Sequence, residues 1–378
     1  MKIIVLGAGL VGGPMAMDLA KDPRFEVTLA DRNPASLAEP GSKFPITTLA
    51  MDLSDLAAIH ELVKDYDMVV DALPGFMGYS TFKTVIEAGK NIVDIAFFIE
   101  DPFETDAIAR KNNITAIMDC GVAPGMCNIL IGYANHLLDE TEEVLYFVGG
   151  LPEIREWPYE YKAVFSPVDV IEEYTRPARY IENGILVTRP ALSDPELINF
   201  PGIGTLEAFN TDGLRSLAFT IKAKNMKEKT LRYPGHIAKM ALLSETGFFS
   251  YDPVEINDQK IRPIDLTTKL LFPLWKLKPG EVDITVMKVV VKGKKGNQTL
   301  RYTWNLFDKY DPVTAIHSMA RTTGYTATVA VRMIASGLYT RKGVSAPEFI
   351  GQDPTCVKYM LEGLKERGVN YTETIEVL

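Results

Sequence analysis

Lys2-Ile-Ile-Val-Leu-Gly7-Ala-Gly9-Leu-Val-Gly12 is the stretch that decides the fold. Residues 2–6 are a short apolar run of β-formers, the pattern of a fully buried strand. GxGxxG follows at once, and residues 10–20 continue with helical spacing. A glycine fingerprint after a strand and opening a helix is the context that dinucleotide binding requires. Gly7 permits the tight turn, Gly9 lets the backbone approach a pyrophosphate, and Gly12 lets the helix pack on the strand. Leu10 and Val11 complete the cradle, and the helix N-terminus receives the phosphate charge. The second strand, residues 25–30, delivers Asp31. A carboxylate there accepts hydrogen bonds from the ribose hydroxyls and repels a 2′-phosphate, which favours NAD over NADP. Arg32 keeps NADP open, because a guanidinium can pair with that phosphate or stack on adenine.

Outward from this point the first third alternates. Strands are expected at 46–49, 68–71, 91–95 and 114–118. Helices are expected between them, one capped by Ser54 and others opened by Asn33-Pro34 and Asp101-Pro102. Such alternation implies a parallel sheet with helices on both faces and right-handed crossovers. Ligands of such sheets lie at the carboxyl ends of the strands, which makes Asp52, Leu53, Ala72, Leu73, Pro74, Asp94, Ala96, Asp119, Cys120 and Gly121 candidate lining residues. Asp52 is expected near adenine, with helix capping as the alternative. Asp94 and Asp119 fall where a nicotinamide would lie, as a general base or as partners of a substrate ammonium; capping or turn formation is again the alternative. Cys120 reads as a packed small residue.

The remaining composition narrows the function class. The chain has 378 residues, enough for two domains. Lys and Arg total 40 against 49 Asp and Glu, a net charge of −9, which argues against a nucleic-acid binder. Three scattered cysteines without a CxxC pair suggest no disulfide framework and a reducing, cytoplasmic setting. The four histidines form no HxxxH or HxH pair, so no metal is expected. Residues 3–17 are uncharged but interrupted by glycines and Pro14, unlike a signal peptide, and no run is long enough for a membrane span. After residue 138 the signals become antiparallel, with strands at 144–148, 185–188, 284–291 and 299–306. The last two are joined by the hairpin loop 292–297. One long helix is expected at 313–338 and another at 354–367.

Several motifs in this order resemble the saccharopine dehydrogenase-like family. They are the Gly7–Gly12 turn, Asp119-Cys-Gly-Val-Ala-Pro-Gly-Met-Cys-Asn128, Ser166-Pro167, Thr230-Leu-Arg-Tyr-Pro-Gly-His236 and the stretch from Gly324 to Val331. Within that family the pattern looks most like the lysine 6-dehydrogenases. The shared features are Val148-Gly149-Gly150, Glu160-Tyr161 before Val164-Phe165-Ser166, and Leu206-Glu-Ala-Phe209. Two positions depart from true saccharopine dehydrogenases: Ala123 replaces an Asp, and Val168 replaces an Arg. Lys162 departs from the lysine 6-dehydrogenases, which prefer Asn there.

The resemblance implies an α/β enzyme. A Rossmann doubly wound parallel sheet spans residues 1–125 and is completed by about 312–378. A second α+β domain, 126–311, with a mainly antiparallel sheet, supplies the substrate pocket and a homodimer face. The implied reaction is NAD-dependent oxidative deamination of the ε-amine of L-lysine, with ammonia release and cyclisation of the semialdehyde to piperideine-6-carboxylate. Asp94 or Asp119 takes the amine proton, and His236 shuttles protons near neutral pH. Arg232 is the candidate anchor for the substrate carboxylate, with a strand-surface salt bridge as the alternative. Lys162 binds a carboxylate or acts as a base if buried and does neither as an exposed strand lysine, and Thr211 and Glu207 are expected to face the cleft. The competing expectations are a saccharopine or carboxyalkyl-polyamine dehydrogenase and a non-catalytic NAD-binding scaffold.

Overall fold

The opening apolar run forms strand β1 (Lys2–Leu6), buried at all but its first residue because helices cover both faces of the sheet. The computed structural model describes residues 1–278 and 280–378. From β1 the chain runs α1 (Gly12–Leu19), β2 (Glu26–Asp31), α2 (Pro34–Lys43), β3 (Ile46–Ala50), α3 (Leu56–Val63), β4 (Met68–Asp71), α4 (Gly75–Glu87), β5 (Asn91–Asp94), α5 (Asp106–Lys111), β6 (Thr115–Ile117) and α6 (Met126–Leu137). β1 lies between β2 and β4, and every pairing is parallel. The reversal of strand order therefore falls at β1/β4, where the glycine turn opens. The expected cap of α3 shifts by one residue. Asp55 accepts from the Ala57 and Ala58 N–H groups, while Ser54 is held by Asp52.

The second unit opens with β7 (Glu140–Pro152), followed by α7 (Pro167–Thr175), β8 (Ala178–Glu182), β9 (Ile185–Arg189), β10 (Glu196–Phe200), β11 (Gly204–Asn210), α8 (Leu217–Thr220) and β12 (Asn225–Arg232). Then come α9 (His236–Glu245), β13 (Val254–Ile256), β14 (Gln259–Ile261), α10 (Pro263–Trp275), β15 (Asp283–Lys295) and β16 (Gln298–Lys309). β15 and β16 form a long hairpin closed at Gly296-Asn297. The sheet order is β10-β11-β12-β7-β15-β16, with β8 and β9 added beside β12. Among these strands the pairings are antiparallel except that of β12 on β7.

The chain then returns with α11 (Ser318–Ala335), β17 (Gly343–Ser345), α12 (Pro347–Gly351), α13 (Pro354–Glu366) and β18 (Tyr371–Val377). β17 adds to β6 in parallel, and β18 extends the second sheet beside β16. The two units are residues 1–137 with 319–371, and 138–318 with 372–378. The first boundary lies beyond residue 125 for a packing reason. A Cβ on Gly132 of α6 would stand 2.2 Å from the Glu348 carbonyl of α12, so the two backbones are in close contact and α6 belongs to the first unit. α11 also starts later than the apolar pattern suggests, at Ser318, whose N–H donates to Asp283. Among the described residues no helix is long and apolar enough to cross a membrane.

Candidate active site

The glycine cradle has the expected geometry. Gly7 sits at φ +99°, and a Cβ there would lie 2.9 Å from the Ala72 carbonyl oxygen. A Cβ on Gly12 would lie 2.0 Å from the Gly7 carbonyl oxygen, so the start of α1 can rest on the turn only as glycine. Nothing stands within 4 Å of a Cβ on Gly9, which leaves open space where a pyrophosphate would approach. Leu10 is half exposed beside it, and Val11 is the N-cap residue of α1. Asp31, at the end of β2, accepts from the Ala8 N–H at 2.7 Å and the Asn33 N–H at 2.7 Å. It ties the glycine turn to the second strand while remaining partly exposed. Arg32 is exposed, and its charge helps hold the Asp52 carboxyl below the usual range, after the Ser54 backbone and hydroxyl. Asp52 thus has the capping-type contacts of its alternative reading and also faces Arg32. The open turn and the carboxylate at the end of β2 fit a dinucleotide.

The carboxylates beyond it are buried. Asp71 and Asp94 end adjacent strands in register and are fully buried. Asp71 accepts from the Leu73 N–H and Asp94 from the Ala96 N–H. The outer oxygens of both carboxyls are buried without a hydrogen-bond partner among the described residues, and each carboxyl shifts the other at close range. Burial pushes Asp71 up to about 7. Burial, then Asp71, then Asp119 push Asp94 well above the carboxylate range. Asp94, expected as a ready base, has no exposed surface, and its carboxyl lies well above the ordinary carboxylate range. Asp119 is 1% exposed and takes φ +50° at the turn into Gly121-Val-Ala-Pro-Gly125. Cys120 is buried with its thiol pushed up by burial, then by Asp94 and Asp119, which makes it a packed residue and no nucleophile. Leu53, Leu73 and Ala96 are buried at the same sheet edge. Ala72 and Pro74 flank the turn into α4, and Gly121 receives the Met126 N–H.

The second unit carries a separate buried polar chain. Arg232, last residue of β12, is 2% exposed. Its Nε donates to the Tyr174 hydroxyl at 3.0 Å, its Nη1 to the Leu231 carbonyl at 3.0 Å, and its Nη2 to Glu173. The guanidinium lies 4.5 Å from the Tyr161 ring centroid. Both nitrogens of His236 are engaged, Nδ1 with the Tyr159 carbonyl at 2.8 Å and Nε2 with the Tyr174 hydroxyl at 2.9 Å. A carbonyl only accepts, so Nδ1 carries the proton and Tyr174 donates to Nε2. Burial, then Arg232, lower His236 to about 3. The expected proton shuttle at neutral pH is corrected: His236 is neutral and orients Tyr174.

Thr211 bonds Glu228 and Thr230, inside a loop where Gly213 leaves room for the Glu228 carboxyl. Glu207 accepts from the Gly235 N–H and supports the start of α9. Lys162 is buried between Glu156 and Glu281, each at 3.2 Å, so its charge is matched internally rather than offered to a ligand. Glu173 and Tyr174 escaped the sequence reading. They lie in a short helix whose i, i+1, i+4 pattern of Val170, Ile171 and Tyr174 says only that one face is buried.

Comparison with known proteins adds identity to this geometry. Residues 121–369 match the model for the saccharopine dehydrogenase C-terminal domain, and residues 3–117 that for the saccharopine dehydrogenase NADP binding domain. The chain is 25% identical to carboxyaminopropylagmatine dehydrogenase of Synechocystis sp., covering 99% of this chain and 98% of that protein. It is 24% identical to the saccharopine dehydrogenase [NADP(+), L-glutamate-forming] of Schizosaccharomyces pombe, covering 99% of each. Mouse mitochondrial alpha-aminoadipic semialdehyde synthase is 28% identical over 62% of this chain, which spans only 27% of that longer protein. In the bovine protein of that name the span is 47%. Apo saccharopine dehydrogenase (L-Glu forming) from Saccharomyces cerevisiae superposes with a TM-score of 0.81 at 19% identity, covering 99% of each chain, which establishes a shared fold.

Proposed function

The chain belongs to the saccharopine dehydrogenase family, and from that premise we propose that it oxidises an amino-acid amine with a nicotinamide dinucleotide, with L-lysine as substrate and NAD as the preferred cofactor. The observation that carries the reading is the open glycine turn braced by Asp31, an intact dinucleotide cradle in a chain of this family. The bound nicotinamide supplies the hydride acceptor. The residues of the chain bind and orient: the Gly7–Gly12 backbone receives the pyrophosphate, and Asp31 takes the ribose hydroxyls and disfavours a 2′-phosphate. Lysine is favoured over saccharopine because Ala123 and Val168 stand where saccharopine dehydrogenases have an Asp and an Arg. A substrate with three carboxylates needs more polar partners. Oxidation of the primary amine gives an iminium that water opens to the semialdehyde and ammonium, and the semialdehyde closes to piperideine-6-carboxylate.

The second reading is a secondary-amine substrate of the carboxyalkyl-polyamine type. It is favoured by the nearly full-length match to carboxyaminopropylagmatine dehydrogenase. Incubation with L-lysine, L-ornithine, L-saccharopine and a carboxyaminopropyl amine, each with NAD and with NADP, separates the two. Nicotinamide reduction with ammonia release from lysine supports the proposal. Reduction without ammonia supports the second reading, and binding of NADH without turnover of any amine leaves only a scaffold. We also propose a homodimer in a reducing, cytoplasmic setting. Three buried cysteines that form no disulfide among the described residues and the exposed Leu266, Leu270 and Leu274 stripe on α10 support this. Sedimentation of wild type against Leu270→Glu tests the assembly; an unchanged monomeric value in both opposes it.

A further inference from the structure

Arg232 is the residue that chemistry nominates to grip a substrate carboxylate, yet its fork is already engaged. Three of its nitrogens are bonded inside the second unit, and its guanidinium is covered by the Tyr161 and Tyr174 rings. What reaches solvent is its partner. The Glu173 side chain keeps 19% of its surface exposed, against 2% for that of Arg232. One oxygen of Glu173 is pinned by Arg232, and the other has no protein partner among the described residues. Tyr161 points to the same place: its hydroxyl is buried without a hydrogen-bond partner and within electrostatic range of Arg232, Tyr174 and Glu173. A tethered carboxylate whose outer oxygen meets no described residue, within electrostatic range of a buried hydroxyl without a partner, is a receptor for a cation rather than for an anion.

We propose that Glu173 receives the non-reacting α-ammonium of the amino-acid substrate, and that Arg232 is the positioning residue that holds it in place. This rests on the amine-dehydrogenase reading. The choice of ammonium follows from chemistry. A carboxylate favours the charged form of its partner, and the amine that loses hydride must be neutral, so Glu173 suits the amino group that does not react. Its charged and titratable neighbours pull its carboxyl in both directions, with the net direction upward. Burial raises its carboxyl, Arg232 opposes that by charge and hydrogen bond, and Asp169 on the same helix adds to the rise. Glu228 of β12 lies within range on the other side. Arg232 holds Glu173 by an ion pair, and His236 bonds the same Tyr174 hydroxyl that Arg232 does.

The test compares L-lysine with 6-aminohexanoate, which keeps the ε-amine and the carboxylate but lacks the α-ammonium. Wild type should prefer lysine in kcat/KM by about 10- to 100-fold, the worth of one charged hydrogen bond. Glu173→Gln should erase most of that preference, chiefly through a higher KM for lysine, and Glu173→Asp should restore part of it. NADH affinity should be unchanged in both. If Glu173→Gln alone fails to fold, with Arg232 left uncompensated, the pair Glu173→Gln with Arg232→Met removes both charges and should show the same loss of preference. A lysine preference equal in wild type and variant overturns the inference while leaving the proposed function standing. A wild type that oxidises no amine overturns the proposed function, and the inference falls with it.

Discussion

Gly9 and Gly12 share one motif, yet their surroundings separate their roles. Gly9→Ala places its methyl in open space, so thermal stability should stay within about 1 kcal/mol, the ordinary cost of a tolerated glycine change. NADH affinity should fall at the same time. Gly12→Ala puts the methyl on the Gly7 carbonyl and should lower the melting temperature itself. Fluorescence titration beside thermal melts checks both. Asp31→Ser should cut the NAD preference by about 1–3 kcal/mol and loosen the glycine turn, because the Ala8 N–H loses its acceptor; a wild type that uses both cofactors equally opposes this. The Asp71–Asp94 pair predicts a stability trend with a definite sign. In the folded state Asp71 keeps its proton up to about pH 7, whereas an unfolded aspartate releases it near 3.8. The folded state therefore binds the extra proton, and that stabilisation is complete below about pH 4 and lost as pH rises through 7, with a slope up to about 1.4 kcal/mol per pH unit. Asp94→Asn, which puts an amide donor beside Asp71 in place of a carboxyl, should flatten that decline in melts from pH 4 to 8. An equally steep decline in the variant would reject the buried carboxyl pair as its source.

At the level of elements, the helix that opens on the cradle is held at its far end by residues some 310 positions away. Asp18 of α1 accepts from Thr328 at 2.6 Å and Arg332 at 2.8 Å on α11, and from Arg367 just past α13 at 2.9 Å. Burial raises its carboxyl, but Arg332 and Arg367 outweigh that and leave it below the ordinary value. Its contribution is therefore present above about pH 4 and lost on acidification. Asp18→Asn leaves two guanidinium groups without their carboxylate and should destabilise the first unit by about 3–5 kcal/mol. Equilibrium denaturation reads this directly, and a change below 1 kcal/mol, the range of a surface pair, would show that Asp22 substitutes for it. Gly324 tightens the same contact, since a Cβ there would meet Met15 at 2.9 Å. The position noted within the long helix thus has a packing reason.

On the scale of the whole molecule, the first unit is discontinuous in sequence, 1–137 and 319–371. A fragment of residues 1–137 lacks Arg332, Arg367 and β17, so it should melt without a cooperative transition and digest quickly, while the full chain resists. A sharp melt of that fragment would overturn the dependence. The residue pattern alone determined the parallel sheet, the glycine cradle and Asp31, because these rest on local rules. A buried parallel strand is a run of apolar β-formers, and a phosphate turn needs glycines at fixed spacing. The pattern also determined the β15–β16 hairpin through its polar glycine loop, although the turn narrows to Gly296-Asn297. It left β8, β10, β11, β12, β17 and β18 unread. β18, largely exposed and mixed in polarity, carries little hydrophobic signal of its own, and β10 is only five residues long with Leu197 facing solvent. Only tertiary structure decided the site chemistry. Glu228, Thr230 and Arg232 share one face of β12 by the two-residue period, but Glu173 reaches them from a helix some 60 residues earlier. Whether His236 is charged, whether Arg232 is free and whether Asp94 holds a proton depend on burial and on neighbours distant in sequence. Those long-range fields set the charge on each group, and no spacing along the chain encodes them.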